Sequence, residues 1–157
     1  MAKILLVDDE RDILETLPEV LKKWGHETFV AANGFEALKV FQNNSVDFII
    51  TDIKMPQMDG LELLKKIQEI DKHCMVIFLT GYPSLDSAIS AMRSGAYDYL
   101  VKPVNLEELK LRIERGLERK EHIKSLPLLR GLNWALLVSI PLWLLLGIIL
   151  AKLLKTR

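Results

Sequence analysis

Short apolar runs alternate five times with stretches of helical periodicity, joined by only a few residues each, and this alternation restricts the chain more than any other feature. Lys3 to Val7 is a compact apolar strand that stops at Asp8-Asp9-Glu10. Ile13, Leu14, Leu17, Leu21 and Trp24 share one helical stripe with Gly25 at its stop, and Pro18 inside it reads as a tolerated kink. Glu27 to Ala31 is a second strand, Asn33-Gly34 reads as a turn, and Phe35, Leu38 and Phe41 mark a second helix. Val46 to Asp52, mostly apolar and rich in β-branched and aromatic residues, reads as a strand buried in a parallel sheet. Leu61, Leu64 and Ile67 mark a third helix, and Met75 to Leu79 a fourth strand ending at Thr80. Ala88, Ile89, Ala91 and Met92 belong to a fourth helix closed by Ser94-Gly95, and Tyr97 to Val101 is a fifth strand ending at Lys102-Pro103. Asn105, with Glu108 three residues on, opens a last helix as a capping box, running through Leu109, Ile113 and Leu117. The pattern predicts an α/β fold, a doubly wound five-stranded parallel sheet with helices on both faces.

Right-handed crossovers carry the carboxyl ends of all five strands to one edge, where open α/β sheets bind ligands. That edge collects Asp8 and Asp9, Asp52, Thr80 and Lys102. A lone Asp after a strand is ordinarily a cap or turn residue. Three carboxylates in one crevice are different, because they repel one another until a counter-charge arrives. A hard divalent cation such as Mg2+ supplies it, taking one or two carboxylates and keeping water and phosphate oxygens elsewhere. With Lys102 to neutralise a phosphoryl oxygen and Thr80 to hydrogen-bond one, the chemistry implied is phosphoryl transfer to a carboxylate. There is no Gly-rich phosphate loop of Walker type, so direct use of ATP is not expected.

The Asp8-Asp9 pair, Asp52 within TDIKMPQMDG, Thr80-Gly81, and Tyr99 three residues before Lys102-Pro103 stand in order at the strand ends. On these residues, 1 to about 124 resemble the receiver domain of bacterial response regulators. The stretch TGYPSLDSAISAMRSGAYDYLVKP is most similar to receivers attached to regulators of the NtrC type. The resemblance implies the flavodoxin-like receiver fold, with Asp52 as phosphoacceptor for a phosphohistidine on a sensor histidine kinase or phosphotransfer protein. It implies that Asp9, Asp52 and the Lys54 backbone carbonyl bind magnesium directly, with Asp8 acting through water. It further implies that Lys102 contacts the phosphoryl group, that the Lys102-Pro103 bond is cis, and that Thr80 and Tyr99 are a switch pair reshaping the face of the fourth helix, fifth strand and fifth helix. Lys54 and Tyr82, two residues after Asp52 and Thr80, lie near the path of an attacking water, and Tyr82 is expected to shield the acyl phosphate. Haloacid-dehalogenase-like phosphatases also use a strand-end Asp, but they need an acid two residues later, where this chain has Lys54. No catalysis beyond its own aspartyl phosphorylation and dephosphorylation is expected.

Composition matters chiefly at the other end. The mean hydropathy of +0.18 is high beside 27% charged residues, and the excess lies after Lys124-Ser125-Leu126-Pro127. Leu132 to Ala151 has no charge, the length of a bilayer-crossing helix, with Trp134 near one interface. Its apolar circumference does not fit an amphipathic surface helix, and Pro141 is better tolerated in a membrane than in a soluble helix. The domains expected are a receiver at 1–124, a linker at 125–131, a C-terminal hydrophobic, transmembrane helix at 132–151 and a basic tail at 152–157. Arg130, Lys152, Lys155 and Arg157 meet no acid after residue 127, so the neutral total hides an acidic receiver and a basic tail, which argues against nucleic-acid binding by the domain. Arg115, Arg119, Lys120, Lys124 and Arg130 before the span favour a receiver facing the cytoplasm at the inner membrane. A strand starting within a few residues of Met1 leaves no room for a signal peptide.

Cys74 is a lone thiol with no zinc spacing and reads as a small hydrophobe near a strand start. His26, His73 and His122 read as surface or loop residues. Gly131, Ala135 and Ser139 have the spacing that packs two membrane helices, an expectation of a homodimer. The combined expectation is a membrane-tethered switch that signals through a downstream protein effector, because too few polar residues follow the receiver for an output domain. A phosphate sink or relay is the first alternative. The second is a constitutive interaction module whose C-terminal helix drives oligomerisation.

Overall fold

A computed structural model describes residues 1–121. The five expected strands form as β1 (Lys3–Val7), β2 (Glu27–Ala31), β3 (Phe48–Thr51), β4 (Met75–Thr80) and β5 (Asp98–Val101). Between them lie α1 (Arg11–Lys23), α2 (Gly34–Asn43), α3 (Gly60–Ile70) and α4 (Leu85–Arg93), and residues 106–121 are helical and form α5. All pairings are parallel in the order β2-β1-β3-β4-β5, the flavodoxin-like arrangement. Residues Met1–Lys120 make one compact unit. Among the described residues no helix is long and apolar enough to cross a membrane, and the expected span at 132–151, like the linker, the tail and His122, lies outside them.

Strand alternation divides the core between the two faces of the sheet. Leu5, Val7, Ile49, Val76 and Phe78 pack with Phe41, Leu63, Leu64 and Ile67 of α2 and α3. Their neighbours Ile4, Leu6, Phe48, Ile50 and Ile77 are equally buried and point to the opposite face. Leu17 and Leu21 of α1, and Leu109 and Ile113 of α5, are also buried, and Gly116 of α5 lies close to the Phe48 ring. Each such side chain contributes about 1.5–3 kcal/mol through removal from water. Cys74 is buried beside β4, and burial pushes its thiol up to about 12.

Several local readings differ from the structure in instructive ways. Asn33-Gly34 is a helix start: Asn33 Oδ1 accepts from the Glu36 amide, and Glu36 Oε2 accepts from the Ala32 amide, so the first turn of α2 is capped. Asn105 caps α5 as expected by accepting from the amides of Glu107 and Glu108, but the Glu108 carboxylate accepts from Arg112 instead of reaching back. In α4 only Ala91 is buried, and Ile89 and Met92 of the expected apolar stripe are exposed. His26 is half-buried just before β2, and its Nδ1 has no hydrogen-bond partner among the described residues. Lys120 is buried, its Nζ donating to the backbone oxygen and the Oδ1 of Asp47, so it belongs to the domain and is not a free flanking charge.

Candidate functional site

The strand order places β1 beside β3, and the chain leaves these two strands in opposite directions along the sheet. A crevice opens at that point, outside the carboxyl ends of the strands. Asp8 follows β1 directly and is buried, and Asp52 stands one residue beyond β3, also buried. The Asp52 amide donates to the Val7 carbonyl and so continues the ladder past the strand. Its Oδ1 accepts from the Lys54 amide at 3.1 Å, and Asp8 Oδ1 accepts from the Glu10 amide at 2.9 Å. Both carboxylates are thus oriented by their own loops. Gly60, the first residue of α3, is part of this geometry: a Cβ there would fall on the Asp52 carbonyl oxygen.

Lys102 enters from the end of β5 and organises the acids. Its Nζ donates to Asp8 Oδ2 at 2.7 Å, Glu10 Oε1 at 2.7 Å and Asp52 Oδ2 at 3.0 Å. Burial opposes the charge on Lys102, but the three carboxylates outweigh it and hold the ammonium above its ordinary range. Burial pushes the Asp8 carboxyl up, against the opposing hydrogen bonds from Lys102 and Glu10. One cation facing three acids leaves the site short of positive charge.

One carboxylate oxygen from each of Asp8, Glu10 and Asp52 lies within 4.8 Å of the other two. Hard oxygen donors at this spacing fit a magnesium ion, which keeps several waters and needs few protein ligands. Asp9 lines the same cleft, of about 650 Å³, with Lys54 and Tyr82. The structure therefore brings Asp8, Asp52 and Lys102 together, sets Asp9 at the cleft wall and adds Glu10. The acidic run Asp8-Asp9-Glu10 is visible in the sequence, but only the cross-sheet lysine shows which of its acids converge.

Thr80 is buried at the end of β4, and its Oγ1 accepts from the Tyr82 amide at 3.2 Å. Tyr82 is 71% exposed, with Lys54 Nζ 5.1 Å from its ring centroid, within cation–π range. Tyr99 is half-buried against the core, its hydroxyl 2.9 Å from Ser87 Oγ in α4. The Lys102-Pro103 bond is cis.

The family model described as the response regulator receiver domain matches residues 4–114. Sporulation initiation phosphotransferase F of Bacillus subtilis (strain 168) is 38% identical over 120 residues, covering 76% of this chain and 97% of its own length. Regulatory protein AtoC of Escherichia coli (strain K12) is 37% identical over 137 residues, 87% of this chain but only 29% of AtoC. The crystal structure of a response regulator receiver domain protein from Clostridium thermocellum superposes with a TM-score of 0.75 at 42% identity, over 78% of this chain and 99% of that one. A parallel sheet with acids and a lysine converging at its carboxyl edge, matched over most of its length, has one reading: the chain belongs to the response regulator receiver domain family, the modules of two-component signalling that are phosphorylated on an aspartate.

Proposed function

We propose that Asp52 is the phosphoacceptor, fed by a phosphohistidine on a sensor histidine kinase or phosphotransfer protein. The observation that carries this is the Lys102 ammonium bonded at once to Asp52, Asp8 and Glu10 in the crevice between β1 and β3. An Asp52 carboxylate oxygen attacks phosphorus, and the P–N bond breaks. The imidazole, protonated at its other ring nitrogen, leaves with the bonding pair as the neutral ring, and Asp52 becomes an acyl phosphate. Lys102 turns from a carboxylate to the incoming phosphoryl oxygen, and the Thr80 hydroxyl donates to another. Asp8, Asp9, Asp52 and the Lys54 carbonyl are the proposed holders of magnesium, with Glu10 added by the geometry. Bound there, the ion supplies the positive charge that the three acids leave wanting. Thr80 moving toward the phosphoryl group and Tyr99 following it inward then reshape the face made by α4, β5 and α5, where a downstream protein effector reads the state.

The test is to incubate the full chain with acetyl phosphate and Mg2+ and weigh it intact. A single phosphoryl adduct is expected, lost in Asp52→Asn and with EDTA; an adduct that survives Asp52→Asn overturns the assignment. A relay is the second reading, supported by likeness to a protein named as a phosphotransferase over nearly its whole length. Passage of the phosphoryl group from the labelled chain to a histidine protein, rather than to water, separates the two.

The apolar run at 132–151 supports tethering of the receiver to the inner membrane. Tethering raises the local concentration near membrane-bound kinases without any new contact. Fractionation of the full chain beside a version ending at Ser125 tests it. Release of the full chain by detergent alone supports a membrane span, and release by carbonate makes the segment an assembly helix.

A further inference from the structure

Ser87 is a crowded hydroxyl. It is the third residue of α4, and it forms a reciprocal capping box with Ser84: Ser84 Oγ accepts from the Ser87 amide, and Ser87 Oγ accepts from the Ser84 amide, both at 3.1 Å. Ser87 Oγ also lies 2.9 Å from the Ser84 carbonyl oxygen, 2.9 Å from Ser84 Oγ and 2.9 Å from the Tyr99 hydroxyl. A hydroxyl has one proton and two lone pairs, so four neighbours exceed its capacity by one. The Ser84 carbonyl can only accept and takes the proton. The Ser84 amide can only donate and takes one lone pair. A single lone pair remains for two hydroxyls. Ser84 is exposed and can give its proton to water, whereas Tyr99 is half-buried, so Tyr99 donates to Ser87. When Tyr99 withdraws, Ser84 can turn its own proton to the vacated lone pair, and the cap of α4 survives.

We propose that Ser87 is a positioning residue for the switch: it holds Tyr99 at α4 in the unphosphorylated protein, and Ser84 replaces Tyr99 there when the phosphoryl group arrives. The inference rests on the reading of Asp52 as phosphoacceptor and Thr80 and Tyr99 as switch pair. Two further observations fit it. Thr80 Oγ1 accepts from the Tyr82 amide, so motion of Thr80 releases the loop that leads within two residues to Ser84. And α4 buries only Ala91, against three residues in α1, three in α2 and four in α3, so it is the least anchored of these four helices and the readiest of them to shift.

Equilibrium binding of beryllium fluoride with Mg2+ to the full chain, measured by calorimetry, reads the switch without turnover. Loss of the Ser87 seat favours the phosphoryl-bound arrangement, and by linkage the analogue then binds more tightly. Ser87→Ala and Tyr99→Phe are each expected to tighten binding by about two- to tenfold, the range of one ordinary hydrogen bond. The double variant should bind no tighter than the stronger single one, and Ser87→Thr, which keeps the hydroxyl, should match the original protein. In 3-fluorotyrosine-labelled chain, Ser87→Ala should move the Tyr99 resonance toward its position with beryllium fluoride bound. Unchanged affinity in Ser87→Ala, or effects of the two variants that multiply, would overturn the latch. Should the original protein bind no better than Asp52→Asn, the phosphoacceptor reading itself is wrong and the latch goes with it.

Discussion

Three acids share one lysine at the sheet edge, and the consequences are tested residue by residue. Because magnesium meets a site built in the folded state, adding it stabilises that state by mass action, about 2.7 kcal/mol at one hundred times the dissociation constant. A melting curve with Mg2+ is expected to lie above one with EDTA, and Asp52→Asn or Asp8→Asn to lose most of that gap. An equal gap in both variants would place the ion elsewhere. Tyr82 is argued from its position over the cleft mouth, where Lys54 lies against its ring. An exposed cation–π contact is worth about 0.5–1 kcal/mol, so Tyr82→Ala is expected to hasten loss of the acyl phosphate about two- to fivefold in a phosphate-release assay. An unchanged rate would end the shielding idea. Asp8, Asp52, Thr80 and Lys102 were all legible in the sequence because each ends a strand. Glu10 was not, since its role depends on Lys102, 92 residues away.

At the scale of elements, the start of α3 is a tight joint. Gly60 donates its amide to the Ile53 carbonyl, and its α-carbon sits against the Asp52 backbone and the Phe78 ring. Backbone cannot step aside as a flexible side chain can, so Gly60→Ala is expected to destabilise by about 1–3 kcal/mol, the cost of overpacking. The same change should depress phosphorylation of Asp52 by acetyl phosphate even well below the melting point. Chemical denaturation and initial phosphorylation rates check both, and a variant with normal values of each would show that α3 has slack. Apolar periodicity places each of the five strands to within a residue or two of its ends. Asn33-Gly34 looks like a turn by local chemistry. It becomes a helix start because Asn33 accepts from the Glu36 amide, Glu36 accepts from the Ala32 amide, and Gly34 leaves room for Met58. The apolar stripe of α4 is visible as a pattern, but pattern alone does not say that Ile89 and Met92 face solvent.

For the molecule as a whole, stability against acid is expected to depend in part on His26. Burial pushes its imidazole below the ordinary 6.5, with the N-terminal ammonium and Lys110 acting in the same direction and Glu114 against. A histidine depressed in the folded state takes up its proton more readily when unfolded, so stability rises with pH through this range and falls as pH drops below about 6.5. Melting temperatures from pH 7.5 to 5.5 should fall, and His26→Gln should flatten that slope whatever it does to the level. A slope identical in the variant would assign the acid sensitivity to other groups. By itself the sequence determined the parallel sheet and the strand-end acids, hydroxyl and lysine, because apolar periodicity sets each element and right-handed crossovers carry every strand's carboxyl end to one edge. Only the tertiary structure decided which acids share Lys102, that Ser87 seats the Tyr99 hydroxyl, and that Lys120 is buried on Asp47. Those contacts join residues 12 to 94 positions apart, and the choice among many polar groups of like chemistry is made by packing, which no local pattern encodes.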